Sequence, residues 1–324
     1  MKPRILVVGS ANTDMIVRVD RIPRPGETVL GGAFSVAAGG KGANQAVGAA
    51  RAGGAVTFVG CVGRDEFGGR ALEGWTRLGI DVRHVRRDAK APSGVALILV
   101  AESGENAIAV AGGANGRLTP ADVRRARGAF GGADVLLLQL ETPLGAVRTA
   151  ARLASEAGAL VLLNPAPARS LPDALLRRVD LITPNETEAE LLTGIRLRSD
   201  AAVRRAAAVL RRRGVASVII TMGARGAYVA TGLGDLWVPG FRVRAVDTTA
   251  AGDMFNGALA VALGEGRRLP EAVRFANAAA ALSVTRMGAQ PSAPSRGEIQ
   301  RLLARRRSAA STACPWGRGL ISPA

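Results

Sequence analysis

Residues 134–167, "DVLLLQLETPLGAVRTAARLASEAGALVLLNPAP", contain the signals of a strand, a helix and a second strand in succession. The apolar runs at 134–141 and 159–167 are short and bounded by turn or polar residues, as in buried strands. Residues 143–157 between them have the pattern of a helix. Strands that alternate with helices are typical of a parallel sheet covered by helices. This stretch therefore predicts an α/β fold.

The same alternation extends over most of the chain. Further strands are expected at 5–10, 56–63, 180–185 and 217–223, and further helices at 42–53, 66–79, 120–130 and 201–213. Thr119 as N-cap and Pro120 at the first helical position mark one helix start. From residue 252 to about Arg307 the sequence is mainly helical. We predict a doubly wound, mainly parallel sheet flanked by helices.

Two segments interrupt this alternation. Residues 15–36 and 93–111 alternate with period 2 and contain turn residues but no helical spacing. We expect two antiparallel ribbons that form a small β lid able to cover a site. One domain is then expected over residues 1–307, followed by a disordered tail over 308–324, which has no periodicity.

The composition limits the class of protein. The chain has 324 residues, of which 48% are hydrophobic, and this length can bury a sizeable core. No apolar run approaches the roughly 18 residues of a membrane span, and the N-terminus is better explained as a strand than as a signal peptide. Cys61 and Cys314 are the only cysteines, which excludes a disulfide framework. We expect a cytoplasmic protein without a membrane partner.

The formal charge of +17 does not by itself indicate nucleic-acid binding. The 43 basic residues comprise 40 Arg and 3 Lys scattered along the chain, and only 3% of residues are aromatic. Few bases could therefore stack on the protein. We interpret the charge as an arginine bias of solvated faces, with nonspecific binding to polyanions as its consequence and no specific nucleic-acid partner. Because the chain has only three lysines, Lys41 becomes informative as a candidate functional residue.

Several common catalytic motifs are absent. The sequence has no P-loop, no dinucleotide-binding G-x-G-x-x-G and no G-x-S-x-G elbow. His84, the only histidine, lies in a polar run and is expected at the surface. Acid–base chemistry must then rest on carboxylates, and charge neutralisation on backbone amides, Arg or Lys.

Asp253 is the best candidate for a base. It lies in "VDTTAAGDMFNGAL", residues 246–259, and apolar residues at the spacing of one buried helix face follow it: Phe255, Leu259, Ala262 and Leu263. The helix start favours the ionised carboxylate, and the N–H groups of Ala251 and Gly252 would form a cradle for a phosphoryl group. Alternatively, Asp is simply favoured in a first helical turn, and for this motif alone that explanation is the better one.

Other polar residues cluster after predicted strands or beside glycines: Asn12, Asp14, Lys41, Asn44, Glu141, Asn185 and Glu188. The ends of parallel strands are where open α/β sheets bind ligands. Gly39, Gly40 and Gly42 permit tight turns and close backbone approach at a helix start. Each cluster has loop capping as its alternative explanation, but with the Asp253 motif there are five clusters, which is more than capping predicts.

These motifs together resemble the ribokinase-like sugar kinases. The resemblance covers residues 4–306 and rests on "GSANTD", "PGET", "GGKGANQA", "NPAPA", "TPNETEAE", "VPGFRVRAVDT", "DTTAAGD" with "FNGAL", and "GAQPS". It implies ATP-dependent phosphorylation of D-ribose at O5 and a homodimer formed through the β lid. The alternatives are a deoxyribokinase or fructokinase of the same fold, or a non-catalytic binding protein.

The resemblance also implies roles for individual residues. Asp253 would take the proton of the sugar hydroxyl, and the N–H groups of 251–253 would form the anion hole. The sugar site would comprise Asn12, Asp14, Gly40, Lys41, Gly42, Ala43, Asn44 and Glu141. The nucleotide site would comprise Asn185, Thr221, Met222, Gly223, Ala224, Arg225, Gly226, Gly252 and Asn277.

Two ions are implied as well. Glu188 would act on Mg²⁺ through water. A potassium site would comprise Asp247, Thr249, Ser283, Arg286, Gly288 and Ser292. The chain departs from the broader family at Ala250, where glycine is common, and we interpret this alanine as a mark of the subfamily.

Overall fold

The computed structural model describes residues 1–305. The tail expected over 308–324 lies outside the described residues. The strands are β1 (Arg4–Val8), β2 (Asn12–Val19), β3 (Phe34–Gly39), β4 (Ala55–Gly63), β5 (Asp81–Asp88), β6 (Gly94–Ala101), β7 (Asn106–Ala111), β8 (Val135–Leu138), β9 (Leu160–Leu163), β10 (Leu181–Ile182), β11 (Ser217–Thr221), β12 (Gly226–Thr231) and β13 (Gly234–Pro239). The helices are α1 (Lys41–Ala52), α2 (Glu66–Arg77), α3 (Pro120–Arg125), α4 (Arg127–Phe130), α5 (Leu144–Glu156), α6 (Asp173–Leu176), α7 (Glu186–Thr193), α8 (Asp200–Arg212), α9 (Ala251–Gly264), α10 (Leu269–Ser283) and α11 (Arg296–Arg305).

The main sheet of the described chain has nine strands in the order β13-β12-β11-β10-β9-β8-β1-β4-β5. Pairing is parallel from β11 to β5, and only β12 and the edge strand β13 are added antiparallel. The chain runs outward from the interior strand β1 in both directions, first to β4 and β5 and later to β8 and beyond. The prediction of a doubly wound, mainly parallel sheet is confirmed.

The alternation of side chains along β1 divides the core into two layers. Ile5 and Val7 pack in the layer that contains α1, α9 and α10, whereas Leu6 and Val8 pack in the layer that contains α5 and α8. Since successive strand residues point to opposite faces, a strand covered on both sides must be apolar throughout. This explains the unbroken apolar runs in the sequence.

The two interrupting segments form one separate sheet in the order β3-β2-β6-β7. This sheet is the β lid. Its two hairpins pair antiparallel, as expected, but a parallel pairing of β2 with β6 joins them, which the sequence did not predict. The first hairpin also begins earlier, at Asn12 instead of residue 15.

Some local expectations were wrong. The helix expected over 120–130 is divided at Ala126 into α3 and α4. The strand expected over 180–185 has only two residues, because Pro184 lies two positions after it and Asn185 already caps α7. The polar run around His84 forms the edge strand β5, which was not predicted, and His84 is half-buried in it. No helix within residues 1–305 has the length and apolarity of a membrane span.

Candidate active site

The start of α9 presents two free backbone donors. Ala250 precedes the helix with φ of 58°, and it is the one non-glycine residue of the described chain with positive φ. The N–H of Ala251 donates to Thr248 O at 3.3 Å. Those of Gly252 and Asp253 have no acceptor within residues 1–305. The anion cradle predicted from sequence therefore rests mainly on these two groups.

Asp253 is buried beside them, with 6% of its surface exposed. Its Oδ2 accepts a hydrogen bond from Asn44 Nδ2 at 3.0 Å, and its Oδ1 accepts one from Gln45 Nε2 at 2.9 Å. Burial raises the pKa of Asp253, and the opposing effects of the Lys41 ammonium and the two amides are smaller. Burial thus opposes the ionised form that the helix start favours, and it makes this carboxylate a stronger base than an exposed aspartate.

Glycines bring the start of α1 against the end of β1. Gly40 is the N-cap with φ of 87°, and a Cβ there would lie 2.6 Å from Asn12 N. A Cβ on Gly42 would lie 2.5 Å from Ser10 N. No other residue fits this approach, which the sequence anticipated. It brings Asn44 on α1 within reach of Asp253 on α9.

Lys41 lies among carboxylates at the same helix start. Its backbone N–H donates to Glu141 Oε2 at 3.0 Å, and Ser10 Oγ donates to the same oxygen. Burial lowers the pKa of the Lys41 ammonium, but the surrounding carboxylates outweigh this effect and raise it. These carboxylates are Asp253, Glu141, Glu188 and Asp14. One fixed positive charge therefore lies amid four acidic groups.

The β lid contributes Asn12 and Asp14 to this region. Asn12 Oδ1 accepts a hydrogen bond from Asn115 Nδ2 at 2.7 Å, which directs the Asn12 amide. Burial, together with Glu141 and Asp253, raises the pKa of Asp14 to about 6, and Lys41 opposes the shift. Asp14 therefore changes charge close to neutral pH.

Asn185 and Glu188 form a capping box at the start of α7. Asn185 Oδ1 accepts from Glu188 N at 2.8 Å, and Glu188 Oε2 accepts from Asn185 N at 2.9 Å. Helix capping, the alternative explanation for this motif, therefore accounts for one oxygen of each of these two side chains. Burial raises the pKa of Glu188, while the Asn185 N–H and Lys41 oppose the shift. The second carboxylate oxygen, Oε1, is not part of the capping box.

A cavity of about 160 Å³ joins several of these groups. Residues singled out from the sequence line it: Lys41, Asn185, Glu188, Thr221, Ala251, Gly252 and Asp253. Other lining residues were given no role in the predicted site: Asn164, Ala166, Thr183, Thr248, Ala250 and Asn256. Asn164 and Thr183 directly follow β9 and β10, so the rule that ligand groups follow parallel strands would have found both.

The residues expected to line a nucleotide are partly engaged by the protein. Met222 is buried in the core, and Arg225 pairs with Asp200 and lies 4.6 Å from the ring centre of Trp237. Asn277 Nδ2 donates to the carbonyls of residues 238 and 239 at 3.1 and 3.2 Å. The turn formed by Gly223, Ala224, Arg225 and Gly226 follows β11. Backbone hydrogen bonds engage Arg225 and Gly226 of this turn. Of the same predicted set, Asn185, Thr221 and Gly252 line the cavity.

The segments expected to hold potassium meet behind the start of α9. Asp247 Oδ1 accepts from Thr249 N at 2.9 Å, and its Oδ2 accepts from Gly288 N at 2.8 Å. Ser283 and Ser292 are fully buried. Arg286 pairs with Glu298. The hydrogen bonds of Asp247 thus join the loop before α9 to the segment after α10.

A buried carboxylate, free N–H donors and a polar cavity at the ends of parallel strands are typical of a phosphoryl-transfer enzyme. The sequence profile described as pfkB family carbohydrate kinase matches residues 2–296, so the chain belongs to this family. The prediction of a sugar kinase is confirmed at this level.

Individual relatives agree with the family. A ribokinase from Haemophilus influenzae is 45% identical over 303 residues, which cover 94% of this chain and 99% of the relative. A deoxyribokinase from Salmonella typhi is 39% identical over 292 residues, which cover 90% and 95%. The solved structure of Arabidopsis thaliana ribokinase complexed with ribose and ATP has a TM-score of 0.86 and 34% identity, with coverage of 94% and 99%.

Proposed function

We propose that this chain phosphorylates D-ribose at O5 with ATP, giving D-ribose 5-phosphate and ADP. The observation that carries the proposal is the buried Asp253 carboxylate beside the free N–H groups of Gly252 and Asp253. Asp253 takes the proton from the sugar hydroxyl, and the hydroxyl oxygen attacks the γ-phosphorus. The N–H groups hold the transferring phosphoryl oxygens.

An unpartnered acceptor supports a polyol as the substrate. Asn44 Oδ1 is buried and accepts no hydrogen bond within the described chain, although Nδ2 of the same amide is bonded to Asp253. A buried acceptor without a donor is costly, and a sugar hydroxyl is a donor of suitable size. Asn12, Asp14 and Glu141 supply further groups for several hydroxyls, which favours a fully hydroxylated pentose.

Mg²⁺ fits the residues around Glu188. No group of three or more His, Cys, Asp or Glu side chains in residues 1–305 could hold a metal ion by itself. A single carboxylate supplemented by water and phosphate oxygens is a common Mg²⁺ environment. Glu188 lines the cavity with Lys41 and Gly252, and it would hold the ion through water. When bound, Mg²⁺ neutralises charge on the phosphates.

The sugar preference is tested by measuring kcat/KM for ribose, 2-deoxyribose and fructose with ATP. We expect ribose to be preferred, and a strong preference for either rival would overturn the assignment of ribose. Deoxyribose is the more important alternative substrate, because a deoxyribokinase is among the relatives.

The same assay tests the proposed potassium site at Asp247 and Gly288, where replacement of K⁺ by Na⁺ or Li⁺ is expected to lower activity.

Sugar binding is expected to weaken as the pH falls through 6. The pKa of Asp14 is raised to about 6, so the carboxylate is mostly ionised at pH 7 and mostly protonated at pH 5. A sugar hydroxyl donates more strongly to the ionised form, so the Kd of ribose should rise about tenfold between these pH values. Calorimetric titration without ATP measures this Kd.

The matched variant for this prediction is Asp14→Asn, which cannot titrate. Its Kd for ribose should be higher than that of the wild type at pH 7 but nearly independent of pH. Glu141, Asp253 and Lys41 face Asp14 and remain present in both proteins. An equal pH slope in the two proteins would show that Asp14 is not the group that controls binding.

The β lid is proposed to form a homodimer. Pairing places Met15, Val36 and Leu97 on one face of this sheet, together with Val17 and Phe34. The exposed fractions of Phe34 and Leu97 are 63% and 56%. An apolar face of this kind is typical of an interface.

As an enzyme that consumes ATP, the protein is further proposed to act in the cytoplasm.

We expect Leu97→Asp to convert the dimer to a monomer, because it buries a charge against an apolar surface. Sedimentation velocity should give about twice the 33.2 kDa chain mass for the wild type and the chain mass for the variant. Leu233→Asp, at an equally exposed leucine between β12 and β13, is the control and should remain dimeric. A monomeric wild type would contradict the proposal.

A further inference from the structure

Gln45 is a buried amide in contact with the proposed base. It follows Asn44 on α1 and has no exposed surface. Its Nε2 donates to Asp253 Oδ1 at 2.9 Å and to Asn164 Oδ1 at 3.0 Å. Its Oε1 accepts from Gln139 Nε2 at 2.6 Å. Both ends of this amide are therefore bonded inside the protein.

The orientation of the Gln45 amide is dictated by its neighbours. The Asp253 carboxylate, when ionised, can only accept hydrogen bonds. Asn164 Nδ2 donates to the carbonyl of Thr183 at 3.1 Å, so Asn164 Oδ1 is the atom that faces Gln45. Rotation of the Gln45 amide by half a turn would place its oxygen against two acceptors. Only one orientation of the Gln45 amide satisfies all of these hydrogen bonds.

The hydrogen-bonded chain continues to the anion cradle. Thr183 Oγ1 donates to Asn256 Oδ1 at 2.6 Å, and Asn256 Nδ2 donates to Gly252 O at 2.8 Å. The carbonyl of Gly252 belongs to the same peptide group as the N–H of Asp253, which is one of the two free donors. The amide that directs the base therefore belongs to the same buried network as the peptide that would hold the phosphoryl group.

We propose that Gln45 is a positioning residue that keeps Asp253 Oδ1 as a hydrogen-bond acceptor, so that Oδ2 receives the proton of the sugar hydroxyl. This inference rests on the proposed role of Asp253 as the base. In the step itself the hydroxyl O–H bond breaks and its proton passes to Oδ2. The oxygen then forms a bond to the γ-phosphorus while the bond from that phosphorus to ADP breaks, and Oδ2 later returns the proton to solvent.

A pH profile can distinguish this role from simple packing. The Gln45 hydrogen bond favours the ionised carboxylate, so its removal must favour the protonated one. The charged groups that face Asp253 are not altered by a change at Gln45: Lys41 on α1, Glu141 after β8, Glu188 on α7 and Asp14 on β2. The acidic limb, the part of the pH profile in which kcat falls as the pH is lowered, would then shift because the hydrogen bond from the Gln45 amide is lost.

The central variant is Gln45→Met, which keeps the length of the side chain and removes the amide. We expect kcat at pH 7 to fall about 10- to 100-fold, because a hydrogen bond to a buried charge is lost. The acidic limb should move to higher pH, and the KM for ribose should change by less than about threefold. Gln139→Met is the matched control. It removes a contact of Gln45 but none of Asp253, and its acidic limb should stay in place.

Gln45→Glu is a second variant of nearly the same shape. Its carboxyl would face Asp253 and share a proton with it, so the limb should shift at least as far. Thermal unfolding of each variant monitors folding. A uniform loss of kcat without movement of the limb in Gln45→Met and Gln45→Glu would overturn the inference, as would an equal shift in Gln139→Met.

Asp253→Asn, measured in parallel, separates this inference from the proposed function. If Asp253→Asn retains activity, Asp253 is not the base and both proposals fail. If Asp253→Asn is inactive while the limb of Gln45→Met is unchanged, only the role of Gln45 fails. Addition of Gln45→Met to Asp253→Asn should cause little further loss, since the amide acts through the carboxylate.

Discussion

Asp253→Asn is expected to lower kcat by about three to four orders of magnitude. The amide nearly preserves the shape of the carboxylate but cannot take the proton from the sugar hydroxyl at neutral pH. Asn44 and Gln45 donate to the carboxylate in the native protein, so the variant also places one amide N–H against a donor. Ribose binding should change far less than kcat. A coupled assay gives kcat, and calorimetry gives the Kd of ribose.

The control for this prediction addresses the alternative that an aspartate in a first helical turn only stabilises the helix. Asp173 lies in the first turn of α6 and pairs with Arg213 at the surface. Asp173→Asn should leave kcat unchanged and lower the free energy of unfolding by less than about 1 kcal/mol. If Asp253→Asn behaved like Asp173→Asn, the helix-start explanation would be correct.

The layered fold could be predicted from sequence because it follows from repeated local patterns. A strand such as β8, apolar at every position and followed by α5, has few alternatives to a place inside a parallel sheet. The polar strand β5 was missed because an edge strand has no such pattern. The parallel pairing of β2 with β6 was missed because it joins residues about 80 positions apart, and nothing local encodes it.

The residues of the candidate site likewise divide into those that could be predicted from the sequence and those that could not. Residues that follow strands or glycines were identified, and the structure brings Lys41, Asn44, Glu188 and Asp253 close together. Gln45 was missed because a glutamine inside a helix carries no signal of its own. Its partners lie 94, 119 and 208 positions away, so only the folded chain reveals it. Polar residues that act through tertiary contacts are hidden from sequence patterns.

Gly252→Ala is expected to lower kcat/KM for ATP by about two to three orders of magnitude while leaving the fold intact. Gly252 has helical backbone angles, and a Cβ there would meet no protein atom within 4 Å. Gly252 lines the cavity and carries one of the two free N–H groups, so an added methyl group would crowd a phosphate bound there. Steady-state kinetics with ATP as the varied substrate measures the loss, and thermal unfolding measures stability.

Gly74→Ala is the matched control, because Gly74 lies in α2 and its added Cβ would also meet no protein atom within 4 Å. Both variants should gain up to about 1 kcal/mol of stability, since alanine favours a helix over glycine. Only Gly252→Ala should lose activity. Equal activity of the two variants would mean that no phosphate approaches this helix start. A stabilised but inactive Gly252→Ala protein would instead show that the glycine is required by a ligand and not by the fold.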